Sequence, residues 1–347
     1  MTDNTDSSTR RSLAGTWETA APIPVARSEV TACVHRERIY VFGGVRHGAT
    51  VDAVDVYDPS IDAWTSLAPL PIPLDHTMAV SVGDAIYVIG GSLSATNHVR
   101  GDTVQEMMKT TNWSFAPRSA CYRYDPEDDA YERIADLPLA RLGHTAVAID
   151  RTIYVFGGQG PNPGVMMAFD VDTDRWSFLP GMPSFREHHA VGVLGGRIHA
   201  VGGRWPDPLD PNATFMIGQV NTGVHEVFDP GSKQWATRAP LPTPRGAGYG
   251  TVLDGLLYVA GGEVLDSPDR LTYAEMEAFD PTTNTWLHAP PLPTPRHGLA
   301  LVTYGGRIYA IAGGPKAAWD QTDVVEVFTP EGTPASGAGM SPDRSGP

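Results

Sequence analysis

"RIYVFGG", Arg38 to Gly44, is an apolar run of strand-forming residues that stops on two glycines. The phrase returns as "AIYVIGG" (85–91), "TIYVFGG" (152–158), "RIHAVGG" (197–203), "LLYVAGG" (256–262) and "RIYAIAGG" (307–314). Residues of this type read as a short, mostly buried β-strand. The glycine pair permits a turn and a close backbone approach that a Cβ would obstruct. After each run come an aromatic residue and a turn: "VYDP", "RYDP", "AFDV", "VFDP", "AFDP" and "VFTP". A tryptophan follows at Trp64, Trp176, Trp235 and Trp286, with Tyr131 in that place in the second unit. A proline-rich turn then leads to an arginine: Arg27, Arg141, Arg186, Arg245 and Arg296, with Leu74 standing in once. The unit is four strands long and recurs at about 45 to 67 residues, so the repeat decides the architecture.

This pattern resembles the Kelch family, and the resemblance spans Thr16 to Pro330. It implies an all-β, six-bladed propeller with four antiparallel strands per blade. The expected organisation is one domain over 15–331, with disordered tails at 1–14 and 332–347. The final unit lacks a Trp strand of its own, and "GTWETAAPIP" offers one with no unit before it. The Trp17 strand is therefore expected to join the last blade and close the ring, which removes open sheet edges. The repeated arginines read as ties between neighbouring blades through carboxylates or carbonyls. The tryptophans read as core.

With 41% apolar and 19% charged residues over 347 positions, the chain can bury a sizeable core. No apolar run approaches the roughly 18 residues that would suggest a membrane span. The polar start "MTDNTDSSTRRSLAG" has no apolar signal region. Cys33 and Cys121 offer neither metal-type spacing nor a disulfide framework. A cytoplasmic location is the expectation. A formal net charge of -15 argues against nucleic acid or an anionic membrane as partner.

In propellers of this family the innermost strand of each blade lines a central channel. The resemblance implies a ligand pocket at one channel mouth, built from the one or two residues after the arginine and from the loops after Gly-Gly. The first of these positions holds Ser28, Asp75, Leu142, Glu187, Gly246 and His297; the second holds Glu29, His76, Gly143, His188, Ala247 and Gly298. Small residues are the ordinary occupants where six strands crowd one axis. Glu29, Asp75, Glu187 and His188 are therefore the candidate catalytic groups, a carboxylate and an imidazole serving as paired base and acid. His76, His188 and His297 lie on alternate blades, about a third of a turn apart, where three imidazoles can hold zinc, iron or copper. The alternative is a metal-free polar pocket. His144 and His189, three positions after an arginine, read as blade-packing residues.

Two loops are long, 92–117 and 204–223, and loops of that length tend to be lids or binding elements, or else fold back on their own blades. With Glu263, they supply the candidate substrate contacts His98, Trp113, Arg204 and Trp205. Similar enzymes narrow the field. Copper oxidases of the galactose oxidase type need a Tyr-Cys crosslink and further domains. The nitrile-specifier iron motif Glu-x3-Asp-x3-His is not matched by Glu263, Asp266 and Asp269. Six-bladed sialic-acid mutarotases are closer in size but usually carry an export signal. The main reading is a small-molecule enzyme of isomerase, epimerase, lyase or cyclase type at the channel mouth. The alternative is a Kelch interaction scaffold without catalysis. Acidic pocket residues suit a basic peptide better than an acidic one.

Overall fold

Each Gly-Gly run forms the second strand of a four-stranded antiparallel sheet, and six such sheets surround one axis in the computed structural model. The described residues are 12–95, 114–213, 217–265, 269, 271–318 and 320–331. Innermost in blades one to six are Thr31–His35, Met78–Val82, Thr145–Ile149, Ala190–Leu194, Tyr249–Leu253 and Ala300–Tyr304. These strands neighbour one another in a closed cycle. The strand Gly15–Thr19 pairs antiparallel with Val325–Pro330, Trp17 opposite Phe328, and completes blade six as its outermost strand. Ordered pairing begins slightly before the expected domain start, at Ser12 and at Leu13, whose N–H donates to His288 O at 2.7 Å.

The apolar core is six slabs, one between each pair of adjacent sheets. Ile39, Val41 and Tyr57 of blade one, for example, meet Tyr309, Ile311 and Val327 of blade six. A strand covered on both faces reads as a continuous apolar run, which is why the Gly-Gly segments do not alternate. The glycines then turn the chain away beside the neighbouring backbone. Gly44 has φ +111°, and a Cβ there would lie 2.5 Å from Ser28 O. In blade six the matching pair is Ala312–Gly313, with φ 58° and 100°. Gly314 is one step further on and bridges to His297.

The arginines do not take their expected role, whereas the tryptophans pack on the core as expected and tie blades as well. Arg27, Arg186, Arg245 and Arg296 each pair with a carboxylate on the third strand of their own blade: Asp55, Glu226, Glu277 and Glu326, at 2.5–2.7 Å. They pin the incoming linker to the blade it enters. Ties between blades come instead from the outermost strand. Trp17, Tyr131, Trp64, Trp176, Trp235 and Trp286 each donate a hydrogen bond, 2.8–3.2 Å long, to a backbone carbonyl in the linker before their blade. An indole is part apolar slab and part donor, which suits a half-buried position between blades.

Both long loops start as short two-stranded ribbons. Ser92–Ala95 pairs with Ser114–Pro117, and Arg204–Pro206 with Gln219–Asn221. Among the described residues no helix is long and apolar enough to cross a membrane.

Candidate functional site

The second residue after each arginine position adopts left-handed backbone angles in all six blades. The φ values are 53° at Glu29, 49° at His76, 57° at Gly143, 49° at His188, 51° at Ala247 and 58° at Gly298. This turn joins neighbouring blades through the main chain: His188 N–H donates to Gly143 O and Ala247 N–H to His188 O, both at 2.9 Å. The six positions are thereby turned toward the axis, two of them, Gly143 and Gly298, without a side chain. Three carry long side chains and three are small. Gly143 leaves the space that the His188 ring fills, since a Cβ there would lie 2.7 Å from that ring.

The first residue of each pair bridges to the residue that follows the blade's glycine pair: Asp75 to Ser92, Glu187 to Arg204, Gly246 to Glu263 and His297 to Gly314. These bridges fold the start of each loop inward. They place eight side chains in a run of alternating acids and bases that closes on itself where His188 meets His76. Asp75 Oδ1 lies 2.6 Å from His76 Nδ1, and His76 Nε2 lies 3.4 Å from Glu29 Oε2. Glu29 Oε1 is 3.5 Å from His297 Nε2, which is 3.7 Å from Glu263 Oε2. Arg204 spans Glu263 at 2.7 Å and Glu187 at 3.0 Å. Glu187 Oε2 lies 3.1 Å from His188 Nδ1, and the His188 and His76 rings meet edge to face at 5.0 Å. No side chain among them is more than 7% exposed.

Burial of charge at this density requires mutual compensation. Burial alone would lower the His76 imidazole, but the Glu29 and Asp75 carboxylates raise it to about 9. Burial would raise Asp75, yet His76 and the Ser92 and Thr50 hydroxyls hold it below its ordinary value. Against the same effect of burial, His188 and Arg204 keep Glu187 low, and His297 and Arg204 bring Glu263 down to about 2. The Arg204 guanidinium, between two carboxylates, is raised despite its burial.

Beneath the cycle lies an axial cavity of about 280 Å³, lined by His76, His188, Tyr249 and a collar of Thr31, Thr77 and Thr145. Tyr249 sits against Glu29, and burial pushes its phenol well above the ordinary value. Tyr249 lies beyond the two positions after each arginine at which the repeat marks a pocket. Two positions further on, the other blades carry Thr31, Met78, Thr145, Ala190 and Ala300, so the lone tyrosine was visible. Gln159 was also missed; its Nε2 donates to Glu187 Oε2 at 2.7 Å.

Glu29, His76 and His188 face the axis, and Asp75 and Glu187 stand on the bridging position directly behind the two histidines. His297 is not part of a three-histidine set. Its Nδ1 faces Gly314 O at 2.9 Å and its Nε2 faces Ala318 O at 3.0 Å, so both nitrogens are turned to backbone carbonyls rather than toward the other two imidazoles. The reason is its place one residue earlier than the other two, on the bridging position. Arg204 and Glu263 are locked inside the cycle rather than on an open rim. Trp205 is half-buried on the ribbon, paired with Val220. His98 and Trp113 lie outside the described residues. His144 and His189 are buried, the latter with Nε2 2.8 Å from the Thr145 hydroxyl of the neighbouring blade.

Fold and repeat define a Kelch-type propeller. Residues 117–314 match the family model described as the KLHDC2/KLHL20/DRC7 Kelch-repeats domain, and residues 26–71 match the Kelch motif. Kelch-like protein terF of Aspergillus terreus is 30% identical over 92% of this chain and 69% of its own length. Beta-scruin of Limulus polyphemus is 29% identical over 49% of this chain but only 19% of its own length. The solved structure of YjhT, 16% identical, superposes with a TM-score of 0.70 over 90% of this chain and 98% of its own. The chain belongs to the Kelch-repeat family.

Proposed function

We propose that this chain is a protein-interaction propeller whose docking face is the loop-bearing rim of blades four and five. One observation carries the reading. Of the six large exposed apolar side chains among the described residues, four lie on that face: Phe185, Leu209, Val220 and Leu271. Leu209 is 89% exposed, at the tip of a turn held by its N–H donating to Asp207 Oδ1 at 2.9 Å. The two loops are joined by Asn221, whose Nδ2 donates to Glu263 O at 2.9 Å. Asp207, Asp210 and Asp269 stand among these apolar residues. Apolar anchors in an acidic surround fit a basic segment carrying apolar side chains, and kinship with other Kelch-like proteins supports the same reading. Fluorescence anisotropy against a defined peptide array tests it. Lys/Arg-rich peptides with an apolar anchor should bind, weaken with salt, and lose about tenfold or more in affinity to Leu209→Asp/Leu271→Asp. Preference for acidic peptides, or indifference to that variant, removes the reading.

A second reading, small-molecule proton-transfer chemistry at the axis, is favoured by the cavity that His76, His188 and Tyr249 line. Incubation with a panel of carbonyl compounds in deuterated buffer, read by proton NMR, should show exchange at carbon that Glu187→Gln abolishes. Exchange no faster than in buffer alone would end it.

A further inference from the structure

We propose that Glu29, His76 and His188 form a binding site for one divalent transition cation of the zinc type, at the loop end of the axial channel. This goes beyond the docking reading and does not depend on it. One oxygen of Glu29 and one nitrogen from each imidazole all lie within 4.8 Å of one another. A cation with ligands at about 2.1 Å needs tetrahedral neighbours about 3.4 Å apart. Glu29 Oε2 and His76 Nε2 are already at 3.4 Å, so the third ligand alone must close in.

Three further features point to a ligand. First, each imidazole sets its Nδ1 against the carboxylate of the residue before it, Asp75 at 2.6 Å and Glu187 at 3.1 Å. A carboxylate behind a histidine fixes the ring and directs Nε2 forward, which is how proteins orient histidine ligands to metals. These backing carboxylates are themselves anchored, Asp75 by the Thr50 and Ser92 hydroxyls and Glu187 by Arg204 and Gln159. Second, Glu29 Oε2 is buried and accepts no hydrogen bond among the described residues. An orphaned buried carboxylate oxygen is costly, and a cation would satisfy it. Third, the cluster of eight holds four carboxylates, Glu29, Asp75, Glu187 and Glu263, against one permanent cation, Arg204. A dication compensates that field.

Two nitrogens and one oxygen suit zinc or ferrous iron, whereas calcium and magnesium take oxygen ligands. His76 and His188 line the axial cavity, so a small exogenous ligand can complete the coordination sphere from that side.

Chelator-treated protein titrated calorimetrically with zinc chloride at about pH 8, in buffers of different ionisation enthalpy so that protons released by the ligands are counted, tests the site. A parallel cobalt chloride titration followed by visible absorption reports the coordination. The expected result is one equivalent bound with cobalt bands of four- or five-coordinate type. Glu29→Gln, which keeps shape and removes charge, should weaken binding at least about 100-fold. Glu187→Gln, which removes the carboxylate behind His188 without removing a ligand, should weaken it about 10–100-fold. His47→Ala, at an exposed histidine away from the axis, should leave it unchanged. Near-UV circular dichroism identifies variants that keep the native fold. The proposal falls if the wild-type protein shows no saturable one-equivalent binding, or if natively folded Glu29→Gln binds as wild type does.

Discussion

Replacing Arg245 by methionine is expected to lower the unfolding free energy by about 3–5 kcal/mol, read as a lower urea midpoint at unchanged slope. Both side chains of the Arg245–Glu277 pair are 0% exposed, and Nη1 lies 2.6 Å from Oε2. The guanidinium also donates to Thr243 O at 3.0 Å and Val259 O at 2.9 Å. Removing it leaves Glu277 charged, buried and held only by the Thr243 hydroxyl. A second change, Glu277→Met, should restore most of the loss, because a buried pair exchanged for well-packed apolar residues is often neutral. The chain already contains that experiment. Blade two has Leu74 at the arginine position and Tyr122 at the carboxylate position, and its sheet is formed like the others.

Blade three supplies the internal control. Arg141 faces Met167 at the equivalent position and donates to the carbonyls of Ala140, Pro161 and Asn162 instead. Burial without a carboxylate pushes its pKa down to about 10. Arg141→Met strands no buried charge, so its cost should be about half that of Arg245→Met or less. Equal costs for the two variants would show that the linker carbonyls, not the ion pair, are what the arginines stabilise.

The propeller was legible because it repeats: each Gly-Gly run is local, and six copies cannot arise from noise. Ring closure by the Trp17 strand followed from counting strands. The site was legible at the positions that share the repeat, and Glu29, His76 and His188 did reach the axis. What stayed hidden was pairing at long range. Arg204 and Glu263 looked like rim residues because nothing local shows that they bridge to Glu187 and Gly246 across the start of their own blade. His297 looked like a third ligand because a shift of one residue exchanges an axis-facing position for a bridging one. The arginine role was misplaced for a similar reason, since an arginine in a linker does not reveal which blade carries its carboxylate. Repeats report where residues recur; partners must be read from contacts.

Blade four departs from its siblings in one more way, and acid should expose it. His199 occupies the place of Tyr40, Tyr87, Tyr154, Tyr258 and Tyr309, and His225 the place of Val54, Cys121, Met166, Met276 and Val325. Their rings are joined, His199 Nδ1 to His225 Nε2 at 2.9 Å, while His225 Nδ1 donates to Ala239 O at 3.2 Å. With that donor in use, His225 Nε2 accepts from His199, and a further proton there would break the link. Phe279 packs on the His225 ring at 4.5 Å between centroids. Burial first, then nearby positive groups, brings His199 down to about 4 and His225 to about 3. The unfolded chain therefore takes up these protons at higher pH than the folded one. The stability they contribute is complete above about pH 6.5 and is lost as pH falls toward 4 and then 3. At pH 5 the loss should be on the order of 2–4 kcal/mol relative to neutral pH, measured by urea unfolding at each pH. His199→Tyr/His225→Val, built from the residues of the sibling blades, should remove that share of the acid slope, about half of what the depressed buried histidines contribute together, while leaving blade four intact. If the double variant loses stability with acid as steeply as the parent, the titrating groups lie elsewhere, with buried His144 and His189, both also depressed by burial, the next to change.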